Sequence, residues 1–447
     1  MKKILICFLS LAIILGFVGN AQAFTQRATY QIPTQITTPQ EISLDSLQDA
    51  FDEFSWQMFV GLNWPVLPNG APDIEKKIGE TDVPGVWQFW KENYDIFLPD
   101  GSLPLPWGEQ QPPPAICEGQ ENLSVMRQIG KRPLLLNASM QPFRDGPLID
   151  QNGNYARFQI SLNQVMFDYI MHNSLYNREG QQEFKHSGNQ VNFPEFQPGE
   201  NNNPYSGDPG AIMVKTSWKI LDKGVGDDPN QFHAQKVLIY TPAGEGVNES
   251  CEIGQVGLVG MHIVAKLKNQ PQWTWSTFEH IANAPTQGIT PPLPSYWFYK
   301  KDCDDCLAVN TQPQQPWNPN QPGTPVQVVR QTPIANSTQA INTSWHKALA
   351  AINPESVWLN YQLVSTQWPT QPNNPVDPSG NPAPPFLANT TLETYIQGNT
   401  PNVSSSCILC HNNATDTTGS FSDFTFTLSL PESIQEVLKP SSKGQTK

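Results

Sequence analysis

The amino-acid sequence predicts an α+β protein with a mainly antiparallel sheet, several helices and long proline-rich loops. Short runs of β-branched and aromatic residues recur along the chain, helical periodicity is clear in two stretches, and strands and helices do not alternate regularly. Strands interrupted by a few helices are typical of antiparallel α+β folds, whereas regular alternation is typical of parallel sheets.

Two helices are predicted from the spacing of apolar residues. The segment SLDSLQDAFDEFSWQMFVGL (43–62) has apolar residues at three- and four-residue steps behind Ser43, a residue type that caps helix N-termini. Its apolar face consists of Leu47, Phe51, Phe54, Met58 and Leu62. The segment FQISLNQVMFDYIMHNSLY (158–176) shows the same spacing and is predicted to be the second helix. Its face consists of Leu162, Val165, Tyr169, His172 and Tyr176.

Strands are predicted where short apolar runs alternate in part with polar residues. These runs are AQKVLIYTP (234–242), VGLVGMHIVAKL (256–267), SVWLNYQLVSTQW (356–368) and DFTFTLSL (423–430). The prolines concentrate in four segments without periodicity, which are predicted to be surface loops. The loop segments are 103–115, 192–210, 310–325 and 367–385.

The N-terminus has the pattern of an export signal. Lys2 and Lys3 precede the apolar run ILICFLSLAIILGFV, and a small-residue cleavage site ends at Ala23. We therefore expect a periplasmic or secreted protein, with a signal peptide at 1–23, a body at 24–395 and a C-terminal segment at 396–447 that forms one unit with the body. No later apolar run approaches the ~18 residues that a spanning helix needs, so no membrane span is expected.

The mature chain is strongly acidic. Loss of the two signal lysines leaves 24 basic against 40 acidic residues, a formal net charge of −16. A chain with this charge and no basic cluster repels phosphate backbones, which excludes nucleic acid as a partner. The partners that remain are a redox partner protein or a small-molecule ligand.

The segment SSSCILCHNNA (404–414) is the most specific chemical signal. Cys407, Cys410 and His411 have the Cys-x-x-Cys-His spacing of c-type haem attachment, in which two thiols bind the porphyrin and the adjacent histidine binds the iron. We predict one covalent haem c, with Cys407 and Cys410 as attachment points and His411 as axial ligand of the haem iron. The alternative is a disulfide between the two cysteines.

The sixth iron ligand has to come from upstream, or the iron is open to a small ligand, because neither Met nor His follows His411. His262, inside an apolar strand, and His280, in the segment WSTFEHI, are the candidates for this distal position. The alternative for each is a hydrogen-bonded core histidine. No catalytic residue is predicted.

Four further cysteines belong to the mature chain. Cysteines of exported proteins usually form disulfides, which here leaves three pairings, and a metal or redox pair is the alternative. The four are Cys117, Cys251, Cys303 and Cys306. Cys303 and Cys306 have Cys-x-x-Cys spacing, but Leu307 stands where a haem site needs histidine, so no second haem is expected.

The C-terminal end resembles that of the cytochrome P-460 and cytochrome c′-β families. The resemblance rests on the late haem motif and on Ala414, Asp423, Phe424 and Phe426 behind it. It implies an antiparallel sheet, a haem at the chain end and a distal face open to nitric oxide, hydroxylamine or peroxide.

A second resemblance covers more of the chain and is to a family of large exported bacterial proteins with a single haem. It rests on FDEFSWQMFVGLNWP, VGLVGMHIVAKLKNQPQWTWSTFEHIANAP, VWLNYQLVSTQWP and TTLETYIQ. It implies that the large region and the haem segment form one unit.

Three functions agree with these features. The first is electron transfer by a six-coordinate haem. The second is small-molecule redox chemistry or gas binding at an open iron. If the second function is enzymatic, the protein is a haem-dependent oxidoreductase. The third is a Trp-rich extracytoplasmic binding module in which the haem is structural or regulatory, based on Trp107, Trp317 and Trp368 in proline-rich loops. No phosphate loop, G-x-S-x-G elbow or His-Glu-x-x-His pair is present.

Overall fold

The computed structural model describes most of the mature chain. The described residues are 28–80, 83–120, 123–127, 146–196, 209–244, 246–268, 270–289, 293, 296–303, 306–371, 381–398 and 405–430. Within them, nine strands form one sheet and six helices accompany it, so the predicted α+β class with a mainly antiparallel sheet is confirmed.

The strands are β1 (Lys91–Glu92), β2 (Val125–Met126), β3 (Arg157–Leu162), β4 (Ile212–Ile220), β5 (Ala234–Thr241), β6 (Ser250–Leu267), β7 (Gln270–His280), β8 (Tyr361–Pro369) and β9 (Pro382–Ala383). The helices are α1 (Leu44–Leu62), α2 (Asn93–Ile96), α3 (Gln164–His172), α4 (Arg178–His186), α5 (Asn336–Ile352) and α6 (Cys407–His411).

The sheet is built around the long strand β6. The main path has the order β1-β3-β4-β6-β7-β8-β9, and all of its neighbours are antiparallel. Strand β5 pairs antiparallel with the first half of β6, and β2 pairs parallel with β5. Side chains of a strand alternate between the two faces, so each central strand contributes to a core on both sides of the sheet.

Helices α1 and α5 cover one face of the sheet. The predicted cap of α1 is confirmed, because the Ser43 side chain accepts a hydrogen bond from the Ser46 backbone N–H and the Ser46 side chain accepts one from the Ser43 N–H. Phe59 of α1 stacks on Phe278 of β7 with ring centroids 4.2 Å apart. A buried aromatic pair of this kind adds roughly 0.5–1.5 kcal/mol to the free energy of area burial.

The C-terminal segment 405–430 packs on the main body, as predicted, and lies on the face of the sheet opposite α1 and α5. Ile408, Phe424 and Leu428 are buried in one apolar cluster with Val264 of β6 and Trp275 of β7. The segment therefore shares a hydrophobic core with the body.

The predicted helix over 158–176 is wrong at its start. Residues Arg157–Leu162 form strand β3 and pair with β4, so Leu162 belongs to the sheet and not to a helical face. Helix α3 begins only at Gln164, because the Asn163 side chain accepts a hydrogen bond from the Met166 N–H and caps the helix there.

The strand predicted over 423–430 is also wrong. Asp423 and Phe424 have positive φ angles of 51° and 63°, and a 3-10 helix follows over Phe426–Ser429. The other predicted strands are present as β5, β6 and β8, although β8 begins at Tyr361 after a 3-10 turn over Val357–Asn360. The signal peptide and the residues after 430 lie outside the described residues.

The four remaining cysteines form two disulfides, Cys117–Cys251 and Cys303–Cys306. The first joins residues 134 positions apart, and the second joins residues three positions apart. Among the described residues there is also no cluster of three His, Cys, Asp or Glu side chains arranged for a metal ion. The two bonds agree with the predicted disulfides and give their pairing.

Replacing Cys117 and Cys251 together by Ala is expected to lower the free energy of unfolding by roughly 2–4 kcal/mol, because this bond closes a long loop in the unfolded chain. The pair Cys303→Ala/Cys306→Ala is the matched control and should cost far less, since its loop is short. Urea unfolding of the mature protein measures both losses. Equal losses would contradict this account.

No helix among the described residues is long and apolar enough to cross a bilayer. This agrees with the expected lack of a membrane-spanning helix over that part of the chain.

Candidate functional site

Helix α6 carries the haem motif and is fixed to the end of β8. The Ser406 hydroxyl accepts a hydrogen bond from the Leu409 N–H and caps the helix. The Gln367 side chain of β8 accepts the Ile408 N–H at 2.8 Å and donates to the Pro384 carbonyl. One fully buried side chain therefore docks the start of α6 on the sheet.

The three motif residues open into one cavity. Residues three and four positions apart lie on the same face of a helix, which is why Cys407, Cys410 and His411 point the same way. The sheet forms one wall of the cavity through Ile160, Met213, Lys215, His262, Val264 and Trp275. The loop after β9 and the segment after α6 contribute Leu387, Glu393, Ile396, Phe426 and Leu430. The lining is mostly apolar, as is typical of cofactor sites.

The His411 ring has a fixed orientation. Its Nδ1 lies 2.7 Å from the Phe424 carbonyl oxygen, and because a carbonyl only accepts hydrogen bonds, Nδ1 carries the proton. The rings of Trp275 and Phe426 pack against it with centroids 4.4 and 5.0 Å away. This tautomer leaves Nε2 with a lone pair, the form in which histidine binds a metal.

The position of the Phe424 carbonyl depends on a buried ion pair. The Lys266 ammonium lies 2.6 Å from the Asp423 carboxylate, and both side chains are fully buried. The Phe193 N–H also donates to this carboxylate, and the Trp273 indole N–H donates to the Asp423 carbonyl oxygen. Burial raises the pKa of Asp423, while Lys266 and these donors counter the shift. The network holds the left-handed turn from which Phe424 reaches His411.

A polar group interrupts the apolar wall of the cavity. Nε2 of His262 lies 3.1 and 3.0 Å from the two carboxylate oxygens of Glu393. Lys215 on β4 is the direct cross-strand partner of His262 on β6, so its side chain is on the same face of the sheet. All three side chains line the cavity.

The loop that carries Glu393 is pressed onto the sheet. The Asn389 side-chain amide donates to the Phe278 carbonyl, and the hydroxyls of Thr391 and Ser217 lie 2.6 Å apart. Gly260 of β6 permits this approach, because a Cβ there would lie 2.2 Å from the Thr391 hydroxyl oxygen. Glu393 is thus presented by a fixed loop.

The structure separates the two distal candidates. His262 lines the cavity, but its Nε2 is directed at Glu393. His280 does not line the cavity. Its Nε2 lies 3.0 Å from the Gln231 carbonyl oxygen, its ring stacks on Phe232, and burial lowers its pKa to about 4. It is a neutral core histidine, which corrects its candidacy as a ligand.

Sequence reasoning missed Lys215, Glu393 and Met213 as cavity residues. Met213 and Lys215 are two positions apart on β4, so their side chains lie on the same face of the sheet. The Thr425 hydroxyl lies 3.8 Å from the Met213 sulfur. Recognition of β4 as a strand would have placed both residues on one face, but nothing in the local sequence connects them with Glu393.

The cavity fits a c-type haem by the chemistry of its donors. Two thiols and a histidine with the required tautomer face a mostly apolar cavity. Comparisons with protein-family models, with curated proteins and with solved structures gave no match to this chain. The family resemblances of the sequence therefore stay predictions.

Proposed function

We propose that this chain is an exported c-type haem protein that carries one covalent haem and takes part in redox chemistry of a small molecule. One observation carries the proposal: the Phe424 carbonyl fixes the His411 tautomer beside Cys407 and Cys410 at an apolar cavity. The two disulfides support a periplasmic or secreted location, since disulfides persist in oxidising compartments.

The residues around the cavity have distinct tasks in this proposal. Cys407 and Cys410 would hold the haem through their thiols, and Nε2 of His411 would bind its iron. The haem supplies one-electron chemistry when it is bound. Trp275 and Phe426 pack against the His411 ring and hold its orientation. A redox partner protein would exchange electrons with the site.

The polar side chains in the cavity favour small-molecule chemistry over simple electron transfer. Electron transfer needs a shielded iron with constant ligands, whereas His262 and Glu393 place a hydrogen-bonding pair inside the cavity. An iron bond to Nε2 of His262 would require this pair to open. We therefore expect an iron with a position open to ligands, in a haem-dependent oxidoreductase or a gas-binding protein.

The Trp-rich binding module is less well supported. Trp317 and Trp368 are 8% and 5% exposed, and Trp368 stacks on Phe51 at 4.8 Å. Trp107 packs on Phe167 with centroids 5.7 Å apart. Trp107 and Trp317 anchor loops to the core, whereas Trp368 belongs to strand β8 and corrects the loop predicted at its position.

The mature protein, produced with a cytochrome c maturation system, is expected to keep its colour in acidified organic solvent and to give a c-type pyridine haemochrome. The ferrous form should then bind carbon monoxide, because Nε2 of His262 is already hydrogen-bonded to Glu393. Extraction of the colour would refute covalent attachment. Low-spin ferric iron whose ferrous form ignores carbon monoxide would point to electron transfer instead.

A further inference from the structure

We propose that His262 and Glu393 form a proton-accepting pair for a small weak acid that enters the haem cavity, with Lys215 stabilising the anion that remains. This inference rests on the proposed function and names the class of molecule that the site takes. That class is a small neutral molecule H–X that binds as the anion X⁻. Hydrogen peroxide belongs to it.

The geometry of the pair indicates a task beyond packing. The side chains of His262 and Glu393 are 9% and 13% exposed, and both carboxylate oxygens lie within hydrogen-bond distance of Nε2. One of these oxygens also accepts the Asn389 N–H at 3.1 Å. The carboxylate is therefore fixed, and it holds the His262 ring at the cavity.

The charged groups that line the cavity form a balanced set. Lys215 comes from β4, Glu393 from the loop after β9, and His262 from β6, while the titratable ring on the α6 side is His411. With a neutral imidazole the first three side chains sum to zero charge. After the pair takes up a proton they sum to +1, which offsets one bound anion.

Proton uptake by the pair keeps the binding step electrically neutral. The H–X bond would break with its electron pair staying on X, the His262–Glu393 pair would hold the proton, and X⁻ would stay in the cavity with Lys215, where the haem would supply a ligand position. An apolar cavity penalises an unpaired charge, so retention of the proton next to the anion is favoured over its release to water. If His262 were surrounded by apolar side chains and lacked the Glu393 carboxylate as a partner, the cavity would offer no such proton acceptor.

Cyanide binding to the ferric haem protein tests this inference, over a pH range in which the free ligand is HCN. Where the pair is unprotonated in the free protein, the wild-type dissociation constant should be independent of pH, because no net proton is released. In His262→Gln the proton goes to water, so the dissociation constant should fall about tenfold per pH unit, as linkage requires. Glu393→Gln should show the same slope, since its amide keeps an acceptor for the Asn389 N–H but carries no charge.

Two further variants complete the experiment. Lys215→Met should weaken binding at every pH and keep the flat profile, because it removes charge but no proton acceptor. His186→Gln, an exposed histidine of α4, is the matched control and should behave as wild type. A tenfold slope in the wild type, or flat profiles in both His262→Gln and Glu393→Gln, would overturn the proposal. Loss of colour in acidified solvent would instead overturn the proposed function before any titration.

Discussion

A mature protein with Cys407→Ser and Cys410→Ser is expected to contain no covalently bound haem, against one haem per chain in the wild type. A serine hydroxyl does not form the thioether bonds by which the porphyrin is held, so any haem in the cavity would depend on His411 alone. The pyridine haemochrome of the solvent-washed protein measures the change. Iron content per chain, measured in parallel, should fall with it.

The variant Cys303→Ser/Cys306→Ser is the matched control, because it removes the other Cys-x-x-Cys pair and leaves the cavity intact. It should keep a full complement of haem. Haem loss in this control, or haem retention after washing in the first variant, would show that attachment does not use Cys407 and Cys410.

The fold class could be predicted because its signals are local. Helix α1 has a cap at Ser43 and an apolar face that repeats along one segment, and strands β5 and β6 are rich in β-branched residues. The errors occurred where tertiary contacts decide. Residues 158–162 carry apolar residues that suit a helix or a strand, and pairing with β4 selects the strand.

The segment 423–430 shows the same limit more sharply. Its alternating apolar residues suit a strand, but the Asp423 side chain binds Lys266, Phe193 and Trp273, all distant in sequence. These contacts hold a left-handed turn that local propensity disfavours. No local pattern indicates such a turn.

The candidate site divides in the same way. The haem motif could be found because its three residues are adjacent in sequence and their spacing is set by the porphyrin. The pair His262–Glu393 joins residues 131 positions apart, and Lys215 reaches it only through the register of β4 and β6. Its chemistry follows from the topology of the sheet and not from any single segment.

The turn behind His411 is expected to be the most sensitive point of the fold. Asp423→Ala leaves the fully buried Lys266 ammonium without its carboxylate and places Ala where φ is positive. Removal of one partner from a buried ion pair typically costs about 3–5 kcal/mol of unfolding free energy. Chemical unfolding of the haem-bearing protein measures this loss.

The same substitution should also change the haem itself. Without the Asp423 network the Phe424 carbonyl is no longer held at His411, so the imidazole becomes a weaker electron donor and the reduction potential should rise. The double variant Lys266→Met/Asp423→Ala is the control, because it removes the unpaired charge. It should recover part of the stability while its potential stays raised, since the turn is still unsupported. A double variant that restores the potential, or an Asp423→Ala protein as stable as wild type, would show that the ion pair does not position the proximal histidine.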